Sequence, residues 1–285
     1  MPSRRILTAV AVALFAGIVV LCITYRREPG AGRLLFVGND RPWSKHLSGT
    51  GLVIATHGWI KKGKGGWPED MAVAIYNCVD PNMWLCGYFD WSEGARSVNP
   101  TDAAKYARDV AGLRLAEEIM RIRCDLRHIH LIGHSSGCWA ISEAAKILVR
   151  ETRADLHLTF LDAYVPAFWD QSLLGDVNAP NDVNCWAEHY YTRDLTLSLT
   201  HQDLRFAHNV DITSMDGVLR DHNFPWQWYH GTVSRRYARG GGKPVISAGS
   251  IEYGFARSRE ATGSDGWSRS LRLPVGNKAM KLRSQ

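Results

Sequence analysis

The sequence lacks several features that mark particular classes of protein. It contains no repeat of fixed period and no long low-complexity tract, which argues against repeat arrays and compositionally biased linkers. No two of its six cysteines have the spacing of a zinc site, so no metal site is predicted. The length of 285 residues fits one large α/β domain with additional segments better than two full domains.

Complete disulfide pairing is also excluded. Cys22 lies in an apolar N-terminal run, and the five cysteines that remain are an odd number. Cys78 and Cys86 could form a disulfide if the domain is exported to an oxidising compartment. The sequence leaves the state of this pair open.

A basic stripe along the middle of the chain is missing as well. The net charge is +6, but five arginines and one glutamate give residues 1–33 a charge of +4. Seven basic and two acidic residues give 255–285 a charge of +5, so residues 34–254 carry −3. A nucleic-acid-binding domain normally carries its basic residues on the folded surface, so no nucleic-acid partner is predicted. The segment 255–285 is rich in Ser, Gly and Arg and is expected to be disordered.

An uncharged run at the N-terminus is the longest apolar feature. The 20 residues 6–25 carry no charge and are flanked by paired arginines on both sides. At about 1.5 Å per residue they span roughly 30 Å, one hydrocarbon core. We therefore predict that 1–30 is a signal anchor that binds a membrane through 6–25, with the following domain outside the cytoplasm. A cleaved signal peptide and secretion are the alternative, although no Ala-x-Ala-like cleavage site follows the run.

Apolar runs alternate with helical patterns over the domain predicted at residues 31–254. Strands are predicted at 52–56, 84–89, 128–132, 157–161, 187–192 and 206–213. Apolar residues recur at helical spacing over 104–122, and 138–149 is also predicted to be helical. Strands separated by helices indicate an α/β fold with a mostly parallel sheet and helices on both faces. Residues 164–187 interrupt the alternation and are predicted to form a lid or cap loop.

The strongest motif is Gly133-His134-Ser135-Ser136-Gly137, a G-x-S-x-G sequence between a predicted strand and a predicted helix. In a nucleophile elbow the serine occupies a strained turn, so the residues two positions away must be small. Both are glycine here. This context predicts that Ser135 is a nucleophile.

A serine nucleophile requires a base, and the base requires an acid, in the chain order Ser, acid, His. Asp162 directly ends a predicted strand and would emerge at the same sheet edge as the elbow. Asp194 is the alternative acid, and Asp211 a weaker one. His222, in a loop after the last predicted strand, is the preferred base, with His230 as the alternative.

An acyl transfer also needs two backbone N–H donors for the oxyanion. The first is expected from Ser136, the residue after the nucleophile. The second is expected from Trp59, because His57-Gly58-Trp59 ends an early predicted strand and Gly58 allows a close turn.

Four segments together resemble the core of the pancreatic-type lipases, an α/β-hydrolase family, over roughly residues 50–230. They are the HGF-like segment at 57–59, the VDW-like strand end at 89–91, the GHSLG-like elbow at 133–137 and the LDP-like strand end at 161–163. The resemblance favours Asp162 as the acid. It also favours His222 as the base, because His222 precedes Tyr229 much as the family's catalytic His precedes a Tyr.

The resemblance implies a Ser135-Asp162-His222 triad that hydrolyses carboxylic esters through an acyl-enzyme. The expected substrate is a small-molecule ester or a lipid. This chemistry needs no metal or organic cofactor, and no protein partner is predicted. Three departures from the family are Ala163 in place of Pro, no disulfide-bounded lid and no C-terminal lipid-binding β-sandwich. The same elbow also serves amidases, thioesterases and acyltransferases, and an inactive membrane-tethered binding module is a further alternative.

Overall fold

The computed structural model describes most of the chain between residues 32 and 234 and four short pieces after it. The described ranges are 32–38, 48–60, 66–122, 125–178, 184–193, 199–200, 202–215, 221–234, 238–239, 243–244, 253–255 and 280–281. Among the helices of these ranges, none combines the length and the apolar character that crossing a bilayer requires. The predicted anchor at 6–25 lies outside the described residues.

Ten strands lie in the described residues. They are β1 (Arg33–Phe36), β2 (Ser48–Thr56), β3 (Trp84–Asp90), β4 (Asp125–His134), β5 (Asp155–Leu161), β6 (Cys185–Tyr191), β7 (His208–Asp211), β8 (Ala238–Arg239), β9 (Lys243–Pro244) and β10 (Met280–Lys281). Eight of them form one sheet in the order β1-β3-β2-β4-β5-β6-β7-β10. All neighbours in it are parallel except β1 and β3. The short strands β8 and β9 form a separate antiparallel pair.

The described helices cover both faces of the sheet. They are α1 (Trp67–Tyr76), α2 (Ser92–Ala95), α3 (Pro100–Tyr106), α4 (Gly112–Met120), α5 (Gly137–Glu151) and α6 (Phe224–Ser234), and the π-helical turn Ala107–Ala111 joins α3 to α4. Apolar residues of α4 and α5 pack on one face of the sheet, and those of α1 and α6 pack on the other. The predicted mostly parallel sheet with helices on both faces is therefore confirmed.

The central strands are buried on both faces, and most of their residues are apolar. Residues 51–56 of β2 and 128–134 of β4 are buried throughout, as are all seven residues of β6. Strands of a parallel sheet that is buried on both sides read as continuous apolar runs, which is why the sequence revealed them.

The register of the central strands brings their carboxyl ends to one edge. Thr56 lies opposite Gly133, and His134 lies opposite Leu161. Leu161 in turn lies opposite Tyr190. The turns that follow β2, β4, β5 and β6 therefore emerge side by side, and Trp59, Ser135 and Asp162 lie at this edge.

Two parts of the sheet were not predicted. β1 is a four-residue edge strand, and β10 lies within the segment 255–285 that was predicted to be disordered. Phe255, also in that segment, is buried and its backbone N–H donates to Thr232 Oγ1 at 2.9 Å. Met280, Lys281 and Phe255 therefore have defined places in the fold, because β10 pairs with β7 and Phe255 binds α6.

Cys78 and Cys86 are free thiols in the structure, so the disulfide considered for them is not formed. Cys86 is buried in β3, and burial raises the pKa of its thiol to about 12. Cys78 follows α1 and its thiol donates to the carbonyl of Val233 at 3.5 Å.

Candidate active site

Ser135 occupies a sharp turn between β4 and α5. Its φ is 56°, the left-handed region that an L-residue enters at a cost of roughly 1–2 kcal/mol. The flanking glycines make this turn possible. A Cβ on Gly137 would lie 2.3 Å from the carbonyl oxygen of His57, and one on Gly133 would lie 2.9 Å from that of Gly137. The local geometry is thus that of a nucleophile elbow.

Asp162 lies directly after β5 and is also left-handed, with φ 47°. Its carboxylate is fully buried and accepts hydrogen bonds from Nδ1 of His222 at 2.6 Å, from the backbone N–H of Thr192 at 2.9 Å and from the side chain of Thr200. Burial raises the pKa of Asp162 above its ordinary value, against the lowering effect of the His222 hydrogen bond. When it is ionised, a buried carboxylate is a strong acceptor for a histidine N–H.

His222 lies in the turn before α6 and its side chain is 20% exposed. Because its Nδ1–H donates to Asp162, the neutral ring presents the Nε2 lone pair to other groups. A second bond fixes its backbone, since Nε2 of His134 donates to the His222 carbonyl at 3.0 Å. His134 is the neighbour of Ser135 in the elbow, and its ring lies 4.6 Å from that of His222. The elbow and the acid therefore hold His222 from two sides.

The rival residues lie in other surroundings. His230 is a half-buried residue of α6 that interacts with the backbone of Asp70 on α1, and burial lowers its pKa. The carboxylate of Asp211 accepts from Arg193 at 3.0 Å and from Thr213. Asp194 lies outside the described residues. Of the candidates described, the structure brings Asp162 and His222 together beside the elbow.

The loop after β2 approaches the elbow closely. A Cβ on Gly58 would lie 2.7 Å from Cβ of Ser135, so only glycine fits at that position. The backbone N–H of the next residue, Trp59, donates to Oγ of Ser136 at 3.1 Å. Its indole N–H donates to the carbonyl of Ser97 at 3.0 Å, which ties down the outer side of the loop. The two backbone donors predicted for an oxyanion hole thus belong to residues in direct contact.

His57 fixes the direction of the Trp59 N–H. The backbone N–H of Trp91 donates to its Nε2 at 3.2 Å, so the ring hydrogen lies on Nδ1, 2.9 Å from the Gly58 carbonyl. In a trans peptide the C=O and N–H point in opposite directions. Holding the Gly58 carbonyl on the His57 ring therefore turns the Trp59 N–H towards the elbow.

Two further buried histidines have comparable roles. His134 binds the His222 carbonyl, as described above, and burial lowers its pKa well below the ordinary value. His189 accepts from the N–H of Ala163, next to the acid, at 3.3 Å and lies 3.1 Å from Oδ1 of Asn209. Burial lowers the pKa of His189 to about 4. We refer to His57, His134 and His189 as the bracing histidines, because each binds the backbone of one loop of the site.

Sequence reasoning did not assign these bracing roles. His57 and His134 stand inside motifs that were recognised, but their partners come from distant parts of the chain. His189 lies in a strand whose residues are all buried. In such a strand the alternation of apolar and polar residues does not distinguish a functional residue from a packing residue.

The described part of the predicted lid loop, 164–178, packs on α5. The Trp139 indole N–H donates to the Tyr164 carbonyl at 2.8 Å, and the N–H of Gly175 donates to Oγ of Ser142 at 3.0 Å. Phe168 projects fully into solvent from this loop with a φ of 70°. The end of the predicted loop, from Cys185 onwards, is β6 instead.

One group of described residues has the donor types of a metal site. His130, His157 and Glu188 have ligand atoms that all lie within 4.8 Å of one another. However, the two imidazoles stack in parallel at 4.0 Å and 7°, so their in-plane lone pairs do not converge on one point. The side chains are instead joined as a hydrogen-bond network.

In that network Glu188 accepts from the hydroxyl groups of Tyr190 at 2.6 Å and Thr159 at 2.9 Å, and from His157 at 3.2 Å. His130 Nε2 lies 2.8 Å from the Thr159 hydroxyl. We call these five residues the buried polar cluster. It lies between the sheet and α6, and Tyr190 is its member nearest to the carboxyl edge.

No family model matches the chain. The pancreatic triacylglycerol lipase of Mus musculus is 34% identical over 119 residues, which is 40% of this chain and 24% of the relative. Pancreatic lipase-related protein 2 of Rattus norvegicus is 30% identical over 116 residues, 39% of this chain and 23% of the relative. The match therefore spans about a quarter of the length of these relatives.

Among solved structures, Aspergillus fumigatus lipase B aligns with a TM-score of 0.41 and 10% identity over 76% of this chain and 59% of that one. The Pyrobaculum calidifontis esterase has a TM-score of 0.32 and 11% identity over 65% and 74% of the two chains. The sequence matches to the pancreatic lipases confirm the resemblance seen in the motifs. Over these residues the chain is similar to the pancreatic lipases.

Proposed function

We propose that the chain is a serine hydrolase that cleaves carboxylic esters through an acyl-enzyme intermediate. The observation that carries this proposal is the pairing of buried Asp162 with His222 at 2.6 Å beside a left-handed Ser135. A serine becomes a nucleophile when a base removes its proton, and an acid that orients the base completes the arrangement. The relatives are named as lipases, which makes an ester the first substrate to test.

In the proposed reaction Nε2 of His222 accepts the proton of Ser135 while Oγ attacks the ester carbonyl. Asp162 keeps the ring in the Nδ1–H tautomer and stabilises the imidazolium that forms. The oxyanion of the tetrahedral intermediate accepts from the backbone N–H groups of Ser136 and Trp59. His222 then protonates the leaving alkoxide, and the acyl group remains on Ser135.

Deacylation repeats these steps with water. His222 removes a proton from the water molecule as it attacks the acyl carbonyl, and the second tetrahedral intermediate collapses to release the carboxylic acid and regenerate Ser135. The 20% exposure of the His222 side chain is consistent with access of water to this base.

We also propose that residues 6–25 anchor the chain in a membrane with the domain outside the cytoplasm. The support is the uncharged run of 20 residues between paired arginines. Retention of the full-length chain in membranes after alkaline carbonate extraction, together with protease digestion of the domain in intact cells, would support the anchor. Release of a shortened chain into the medium would indicate a cleaved signal peptide instead.

The test of the enzymatic proposal is turnover of p-nitrophenyl esters of several chain lengths by the full chain in detergent. Wild type is compared with Ser135→Ala and His222→Ala, for which we expect kcat/KM to fall by about 10⁴-fold or more. Ser142→Ala is the matched control for Ser135→Ala, and His230→Ala is the matched control for His222→Ala. Each removes a residue of the same type that lies outside the proposed triad.

The outcomes separate the alternatives. Ser135-dependent turnover of esters supports the proposal, and its chain-length profile distinguishes an esterase from a lipase. Faster turnover of matched thioesters or anilides, or transfer of the acyl group to an added alcohol, would identify a thioesterase, an amidase or an acyltransferase. A folded chain with no Ser135-dependent turnover and no reaction with a fluorophosphonate would favour the inactive binding module.

A further inference from the structure

The side chain of Ser136 makes an unusual contact for its position. Ser136 precedes α5 as its N-cap residue, yet its hydroxyl makes no capping bond to the helix. Serine is favoured at this position because its oxygen can accept from a free N–H of the first turn. Here Oγ accepts instead from the Trp59 N–H, at 3.1 Å. The hydroxyl is therefore committed to the proposed oxyanion site rather than to the helix.

The hydrogen of this hydroxyl is available for a second partner. Ser136 is completely buried. Among the residues that the structure describes, Oγ makes only the bond that it accepts from Trp59, so the O–H itself has no acceptor. A buried donor without an acceptor is costly, which favours binding of an acceptor next to it.

The place where such an acceptor would form is close by. An oxyanion held by the backbone donors of Ser136 and Trp59 must lie within about 3 Å of both nitrogens. Oγ is three covalent bonds from the Ser136 nitrogen and 3.1 Å from the Trp59 nitrogen. The hydroxyl therefore lies next to the position at which both backbone N–H groups would bind the oxyanion.

We propose that the Ser136 hydroxyl is a third oxyanion donor. This inference rests on the proposed ester hydrolysis. Without substrate, Oγ accepts from Trp59 and keeps that N–H aimed at the elbow. When the tetrahedral intermediate forms, the hydroxyl turns about its Cα–Cβ bond and donates its hydrogen to the oxyanion, while the Trp59 N–H exchanges Oγ for the same oxyanion.

The third donor would distinguish this chain from the family that it resembles. Ser136 stands where the GHSLG-like elbow has leucine, and a leucine side chain has no hydrogen to donate. Substitution by alanine keeps the backbone N–H of the residue and removes only the hydroxyl. The variant Ser136→Ala therefore separates the side-chain donor from the backbone donor.

The experiment measures kcat and KM of the full chain with p-nitrophenyl butyrate, and inhibition by a trifluoromethyl ketone of similar length. The ketone forms a tetrahedral adduct with an oxyanion, whereas KM reports mainly on the uncharged substrate. For Ser136→Ala we expect kcat to fall about 100-fold, KM to change less than about threefold, and inhibitor affinity to fall by the same factor as kcat. Ser142→Ala, which removes another buried hydroxyl of α5, is expected to leave all three unchanged.

A purely structural role of Ser136 predicts a different result. In that case Ser136→Ala lowers the midpoint of thermal unfolding but keeps kcat and inhibitor affinity within about twofold of wild type, and the proposal is overturned. If Ser136→Ala does not fold, Ser136→Cys is measured by the same criteria, since a thiol has similar size but is a weak donor. If wild type itself shows no Ser135-dependent turnover, the proposed function fails and the third donor fails with it. An active wild type with an unaffected Ser136→Ala overturns the third donor alone.

Discussion

Two carboxylate–histidine pairs of the molecule differ in the backbone of their residues and in the exposure of their histidines. The candidate active site joins Asp162 to His222, and the buried polar cluster joins Glu188 to His157. Both are a carboxylate with a histidine. However, Ser135 and Asp162 have left-handed backbones at strand ends, whereas Glu188 and His157 lie within regular strands. His222 is partly exposed, while both residues of the other pair are buried.

The comparison shows that a buried carboxylate and a histidine do not by themselves identify a catalytic site. In the buried polar cluster the carboxylate also accepts from Thr159 and Tyr190, and all five of its residues lie within regular strands. In the candidate active site, the strained Ser135 lies beside the pair, and the histidine of the pair is partly exposed. Strain at a turn and access to a ligand are the features that point to chemistry. The two pairs can be separated experimentally by matched substitutions.

The largest expected effect is on activity and comes from replacing each carboxylate by its amide. Asp162→Asn should lower kcat by about 10⁴-fold, because the amide no longer stabilises the imidazolium or fixes the tautomer of His222. Glu188→Gln should leave kcat of the folded protein unchanged. Steady-state kinetics with p-nitrophenyl butyrate, normalised to folded protein, checks this contrast, and a similar loss in both variants would contradict it.

The same two substitutions should differ in the opposite sense in stability. Glu188→Gln places amide hydrogens against the donors Tyr190, Thr159 and His157, and we expect it to lower the free energy of unfolding by about 3 kcal/mol. Asp162→Asn should cost less, because burial already raises the pKa of Asp162 and so opposes its charged form. Urea unfolding at neutral pH measures both values. A larger loss in Asp162→Asn would reverse the comparison.

Acid should weaken the site through His189. Burial lowers its pKa to about 4 in the folded state, whereas the unfolded state takes up a proton below about 6.5. Its contribution to stability is therefore complete above about pH 6.5 and is lost as the pH falls towards 4. Between pH 7 and 5 the loss for wild type should exceed that for His189→Gln by about 2 kcal/mol. Urea unfolding of both proteins at the two pH values tests this, and equal losses would exclude the effect.

The smallest expected effect concerns the strain at Ser135. Because its φ is 56°, Ser135→Gly should be more stable than Ser135→Ala by about 1 kcal/mol. At Ser136, where φ is −61°, the order should be reversed, since glycine there only adds disorder to the unfolded chain. Thermal unfolding of the four variants measures the two differences. The same sign at both positions would argue against strain at the nucleophile.

The sequence predicts the candidate site as far as local rules reach. Ser135 is recognisable because an elbow needs two small neighbours within five residues, and Asp162 because it directly follows an apolar strand. His222 is preferred over His230 because it lies in a predicted loop after the last predicted strand, and the family resemblance strengthens that choice. The structure pairs Asp162 with His222 and places His230 against α1.

Contacts between distant strands escape such rules. The bonds from His57 to Trp91, from His134 to His222 and from His189 to Ala163 join residues that no pattern in the chain connects. β10 escaped because two residues in a basic segment carry no periodic signal, and β1 because an edge strand needs little burial. The predicted anchor at 6–25 and the alternative acid Asp194 stay predictions.

The bracing histidines also give the site three internal spectroscopic reporters. Each is buried, so hydrogens on their rings are shielded from exchange with solvent. His57 borders the oxyanion loop, His134 the loop of the base, and His189 the loop of the acid. Their imidazole N–H resonances would therefore report separately on each loop, and a ligand that displaces one loop would shift one signal and leave the others in place.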